Sequence, residues 1–116
     1  MDPLTNIFKL LSDETRLRML ILLYQEELCV CQLSGVLDVP QPRISQNLSK
    51  FRDMGLVCDE RKEKYVFYSL KRGNKVLMDI LNDIMNNMEA YSKLMEDSSG
   101  LSDKENFLTQ CCIECK

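Results

Sequence analysis

Residues 31–57, CQLSGVLDVPQPRISQNLSKFRDMGLV, decide the fold. The stretch reads as a short helix over about 31–37, a turn at Asp38–Pro40, and a longer helix from Gln41-Pro42 to about Met54. Proline cannot continue a helix from within, so Pro40 ends the first and Pro42 suits the first turn of the second. Ile44, Leu48 and Phe51 recur at i, i+4 and i+7 and form one apolar face. Arg43, Ser45, Gln46, Asn47, Ser49 and Lys50 fall on the other. Gly55 supplies a helix stop. A short helix, a tight turn and a longer helix with a polar outer face is the pattern of a helix-turn-helix.

Upstream, Asp2-Pro3 reads as a helix start, and Ser12-Asp13 caps a second helix over about 13–24. Residues 26–30 are short and read as extended. Downstream, LVCDERKEKYVFYSL (56–70) reads as a hairpin with a charged connection that lacks glycine, so its turn type stays open. A basic hairpin directly after a helix-turn-helix is what a wing looks like. A long helix over about 73–95 is expected next. Its stripe of Val76, Leu77, Ile80, Leu81, Ile84, Met88, Tyr91 and Met95 is too long for one small domain to cover, and a second copy would bury it. DSSGLSDKEN (97–106) reads as a polar linker before FLTQCCIECK. The expected division is a winged helix-turn-helix and dimerisation domain at 1–96 and a flexible, cysteine-bearing tail at 97–116. The fold class is mostly α with a small β-hairpin.

The 116 residues, 45% apolar and 28% charged, suit a single soluble domain. The first residues lack a basic n-region with a cleavage site, and no apolar run approaches a membrane span, so the cytoplasm is expected and no membrane partner. The net charge is −3, which looks wrong for a nucleic-acid binder until it is divided. Residues 41–72 carry +4, between flanks of −3 (1–40) and −4 (73–116). Phosphate affinity follows local charge, so the central segment matters more than the total.

Six cysteines in a chain expected to stay in a reducing compartment point to metal or redox chemistry rather than a disulfide framework. Histidine is absent, which excludes a His-rich zinc site. It also leaves no Ser- or Cys-base constellation to activate a nucleophile, and Cys112-x-x-Cys115 has no βαβ context. The expectation is that this is not an enzyme.

LSDETRLRMLILL (11–23), EELCVCQL (26–33), QPRISQNLSKFRDMGLV (41–57) and the hairpin ending YSL (68–70) together resemble the ArsR/SmtB family of metal-responsive repressors, over about residues 4–95. The resemblance implies a homodimeric winged helix that binds double-stranded operator DNA and lets go when metal binds. It also implies that the Cys29/Cys31 pair marks sensors of arsenic and antimony or of cadmium and lead. Arsenic sensors of this type usually carry a third cysteine three residues after the pair, and here that position is Ser34.

Thiolates select soft ions. Arsenite prefers three, so As(III) or Sb(III) is the expected inducer, with Cd(II) or Pb(II) as the alternative. Cys29 and Cys31 stand at a helix start, which is expected to lower a thiol pKa. Residues i and i+2 do not face each other on a helix, so ion binding there would strain its first turn. Cys58 reads as a core residue. Cys111, Cys112 and Cys115 supply three thiols in five residues, as a separate site or as the missing ligand of the pair. A thiol-redox repressor and a ligand-free DNA-binding adaptor on the same fold are the other readings. Arg43, Gln46 and Asn47 are expected to reach base edges. Gln41, Ser45, Ser49 and Lys50 are expected on phosphates or bases, and Arg61, Lys62 and Lys64 of the wing along phosphates or the minor groove.

Overall fold

The computed structural model describes residues 3–108. Helices α1 (Pro3–Leu11) and α2 (Glu14–Gln25) come first, then strand β1 (Leu28–Cys29), helices α3 (Val30–Leu37) and α4 (Gln41–Asp53), and strands β2 (Val57–Lys62) and β3 (Tyr65–Leu70). Helix α5 (Lys75–Asn86), a 3-10 turn, α6 (Ser92–Ser99), a second 3-10 turn and α7 (Lys104–Leu108) complete the chain. As expected, Asp13 caps α2, its carboxylate accepting from the Arg16 N–H at 3.0 Å. α2 is the central helix, with Met19 to Leu23 all buried. Ile44, Leu48 and Phe51 of α4 pack into the same core. Gly55 (φ 74°) ends α4 as read, with Leu56 N–H donating back to Phe51 O and Gly55 N–H to Arg52 O, both at 2.9 Å. That double closure requires a left-handed residue, and glycine takes it without strain.

The wing has one strand more than the hairpin expected. β1 pairs antiparallel with β3, giving the order β1-β3-β2. The two-residue turn works without glycine because Glu63 adopts φ 59°. In this register Cys29 lies opposite Phe67, so the start of α3 is fastened to the wing. Arg72, just past β3, ties the wing to α2 by donating to Tyr24 O at 2.9 Å and stacking on the Tyr24 ring.

Two expectations fail at the C-terminal end. The single helix over 73–95 is broken: α5 stops at Asn86, and the Asn87 side chain donates to Asp83 O at 2.8 Å. Asparagine is a poor helix former whose amide competes for backbone partners. The break lets α6 fold back over α2. Residues 97–106 are then not a polar linker but the end of α6, a 3-10 turn and the start of α7. Asp97 explains this. It is buried and takes two hydrogen bonds from Arg18 of α2, at 2.9 and 3.0 Å. Arg18 also donates to Leu37 O at 3.0 Å, so α6, α2 and the C-terminal end of α3 share one guanidinium. Gln25 donates to Ser98 Oγ at 2.9 Å, and Lys104 pairs with Glu26. α7 packs on α3, where the Phe107 ring fills the space a Cβ at Gly35 would need. Any larger residue at 35 would displace that ring.

Candidate functional site

α4 presents Arg43, Ser45, Gln46, Ser49 and Lys50 to solvent, as expected of a reading face, while Gln41 is half-buried. Asn47 differs. It is half-buried, and its Oδ1 accepts from Arg16 Nε of α2 at 3.3 Å. Arg16, which the sequence reading passed over, therefore lies against the polar face of α4. A capping-region arginine on the preceding helix gives no sequence signal for that placement. On the wing Arg61, Lys62 and Lys64 are all exposed. Lys62 pairs with Glu27 and lies 5.7 Å from the centre of the Phe67 ring, and Lys64 lies 5.7 Å from that of Tyr65. Arg52 at the end of α4 pairs with Asp59 of β2 at 3.4 Å, which fixes the wing relative to the helix.

Cys29 and Cys31 are both buried and form a small cluster with Val30, Tyr65 and Phe67. Cys29 is the N-cap of α3 and works as serine or threonine would. Its sulfur faces the Gln32 backbone N–H, and the buried Gln32 side chain accepts from Cys29 N–H at 3.1 Å. This is a capping box with sulfur in place of a hydroxyl. The expectation of a lowered thiol pKa is corrected here. Burial pushes the Cys29 thiol up from its usual 9.0, outweighing the backbone N–H groups that favour the thiolate, and the charge of Glu105 on α7 adds to the rise. Desolvation penalises the charged form more than one helix start rewards it. Cys58 is corrected too: it is exposed on β2, with its sulfur 3.3 Å from Ser69 Oγ, and is not a core residue.

Ser34, at the position of the usual third thiol, is committed elsewhere. Its hydroxyl donates to Val39 O at 2.6 Å and braces the turn between α3 and α4. Asp38 in that turn is left-handed (φ 58°) and caps α3. Among the described residues no three cysteine or carboxylate side chains converge as a metal site. The pair sets two sulfurs in one buried cluster, that of Cys31 engaged in a disulfide, and among the described residues no third donor joins them. Cys111, Cys112 and Cys115 lie outside the described residues.

A short helix, a left-handed turn, a second helix with a polar face and a three-stranded wing together define a winged helix-turn-helix protein. Residues 13–58 match the family described as bacterial regulatory protein, arsR family. The chain is 46% identical over 65 residues to the arsenic resistance transcriptional regulator ArsR1 of Pseudomonas putida, a match covering 55% of this chain but only 51% of that one. It is 30% identical over 83 residues to the transcriptional repressor SdpR of Bacillus subtilis, covering 72% of this chain and 90% of that one. Among solved structures, reduced HlyU from Vibrio cholerae superposes with a TM-score of 0.66 at 28% identity, over 72% of this chain and 86% of that one. The chain belongs to the arsR family of bacterial regulatory proteins. That is a family of regulators, not enzymes. No helix among the described residues is long and apolar enough to cross a membrane.

Proposed function

We propose that the protein is a cytoplasmic, homodimeric repressor that holds operator DNA through α4 and the wing and releases it when arsenite or antimonite binds its cysteine thiols. The observation that carries the reading is the position of Cys29. It caps the helix that leads into α4 and at the same time sits against Phe67 of the wing. A sulfur donated to an inducer no longer accepts from the Gln32 N–H, so the cap of α3 is lost where both proposed DNA-contacting elements meet. Losing an N-cap costs about 1 kcal/mol, and pulling the pair onto one ion adds strain in the first turn.

The thiols fit a soft inducer. Arsenous acid condenses with three thiols to give As(SR)₃ and three waters. Cys29 and, once its disulfide is reduced by a cellular thiol, Cys31 provide two, and we assign the third to the tail, from Cys111, Cys112 or Cys115. The docking of α7 on α3 supports this, because it returns the chain to the thiol-bearing helix within three residues of Cys111. Three residues of chain span at most about 11 Å. Cadmium or lead on the same thiols is the alternative inducer.

The apolar residues left exposed on α1 (Leu4, Phe8), on α5 (Val76) and at and just before α6 (Tyr91, Met95) support a dimer. So does the cleft lined by Leu17, Ile84, Tyr91 and Leu94. The test follows reduced protein on fluorescent DNA from upstream of its own gene while arsenite is added. Release of the wild type but not of a Cys29→Ser/Cys31→Ser variant supports the reading. If the variant releases equally, the pair is not the sensor. If the tail variant Cys111→Ser/Cys112→Ser/Cys115→Ser releases as the wild type does, the third ligand lies elsewhere.

A further inference from the structure

Six of the fourteen lysines and arginines among the described residues are matched by a carboxylate. Lys62, Lys75, Lys93 and Lys104 each pair with a carboxylate, as do Arg18 and Arg52. Three that are not paired with an acid converge on one cleft. Lys9 of α1, Arg16 of α2 and Lys50 of α4 line a hollow of about 450 Å³, completed by Asn6, Leu10 and Met54. Among the described residues no carboxylate lines it. Arg16 spends its Nε on the amide oxygen of Asn47, and the Asp13 carboxylate is spent on the α2 cap. Like charges from three separate helices repel unless an anion sits among them.

The location says which anion. Lys50 follows Arg43 by seven residues and Asn47 by three, so it continues the same face of α4 towards its C-terminal end. A helix lying in the major groove is flanked by the sugar-phosphate backbones, and side chains from the supporting helices position it by gripping phosphates. We propose that Lys9, Arg16 and Lys50 form a clamp that takes one backbone phosphate of the bound DNA beside the C-terminal half of α4. The clamp rests on the reading of α4 as the DNA-contacting helix. It adds α1, which no helix-turn-helix reading of the sequence includes, to the interface.

Phosphate grips are independent of sequence, so a random-sequence duplex suffices as probe. Lys9 is exposed, so Lys9→Gln is expected to leave the fold intact, which its unfolding midpoint checks. The expected result is binding about tenfold weaker at low salt, restored by Lys9→Arg. In Lys9→Gln/Lys50→Gln the slope of log K against log salt falls by at most about 0.9, the value for one phosphate, whereas two separate contacts lose about 1.8. Unchanged affinity in Lys9→Gln, with Arg43→Ala weakening binding, overturns the clamp and spares the reading of α4. Loss of neither in both variants overturns both. If inorganic phosphate at constant ionic strength shifts the resonances of these three side chains while Lys9→Gln binds the duplex as the wild type does, the cleft takes a small free anion and not DNA.

Discussion

At the scale of single residues, two side chains define the thiol site. Cys29 combines a capping role with a soft donor, and Ser34 holds a turn where the resemblance leads one to expect a thiol. Cys29 was legible from its motif, but its ionisation was not. The sequence shows a helix start, while only the fold shows the burial that outweighs it. The consequence is a pH signature. A thiol pushed above 9.0 stays protonated through neutrality and yields its proton only as pH rises. Cadmium displaces one proton per thiol, so its apparent affinity is expected to climb about one log unit per pH unit for each thiol it takes. Arsenous acid leaves with its own hydroxyls as water, consumes no net charge, and is expected to bind almost independently of pH over the same range. Competition titrations on either side of neutrality decide this, and a flat cadmium profile means the thiols are already ionised. Ser34 gives a second prediction. In a chain lacking the tail cysteines, Ser34→Cys is expected to restore a three-sulfur site, read as three As–S neighbours in X-ray absorption. The lost bond to Val39 O costs about 1 kcal/mol of unfolding free energy. Two As–S neighbours in that variant would rule the position out as a ligand.

At the scale of elements, local signals carried the helix-turn-helix well. The turn at Asp38–Pro40, the apolar spacing in α4 and the stop at Gly55 all stand in the structure as read, because each is decided by residues a few positions apart. The C-terminal helices were not legible. The stripe through 76–95 has helical spacing throughout; the helix stops at its Asn87 cap, and what holds α6 folded back is a partner 79 residues away in sequence, the buried Arg18–Asp97 pair. The extended run at 26–30 was read, but not its pairing with β3, for the same reason. That buried pair is where the α6–α7 arm is most sensitive. Asp97→Ala leaves the Arg18 guanidinium charged and buried with only Leu37 O, and is expected to destabilise the fold by about 3–5 kcal/mol in denaturant unfolding. Replacing both partners by apolar residues of similar volume, as in Arg18→Met/Asp97→Leu, is expected to recover most of that loss. A double variant as unstable as the single one would show that the bond to Leu37 O, and not the ion pair, holds the arm.

At the scale of the whole molecule, the unmatched surface is apolar and lies on the helices outside the helix-turn-helix. Phe8 is 56% exposed, Leu4 and Tyr91 45%, Met95 43% and Val76 41%, and all five lie on α1, on α5 or at the start of α6. The break after Asn86 does not remove the stripe expected from the sequence. It divides the stripe, turning Leu77, Leu81 and Met88 inward and leaving Val76, Tyr91 and Met95 outside. A second copy is the proposed cover, and a two-fold axis would then set two α4 helices on successive turns of DNA. Tyr91→Glu/Met95→Glu tests this cleanly, because both residues are already exposed in the single chain and the substitutions put no charge into its core. The variant is expected to keep its helical content and to sediment as a monomer where the wild type sediments as a dimer. With one half-site engaged instead of two, its affinity for two-fold symmetric DNA is expected to fall at least about 100-fold. The salt slope should fall with it, since about half of the phosphate contacts are lost. A variant that stays dimeric would move the interface off this face, and a monomer that binds DNA as tightly as the wild type would separate dimerisation from operator recognition.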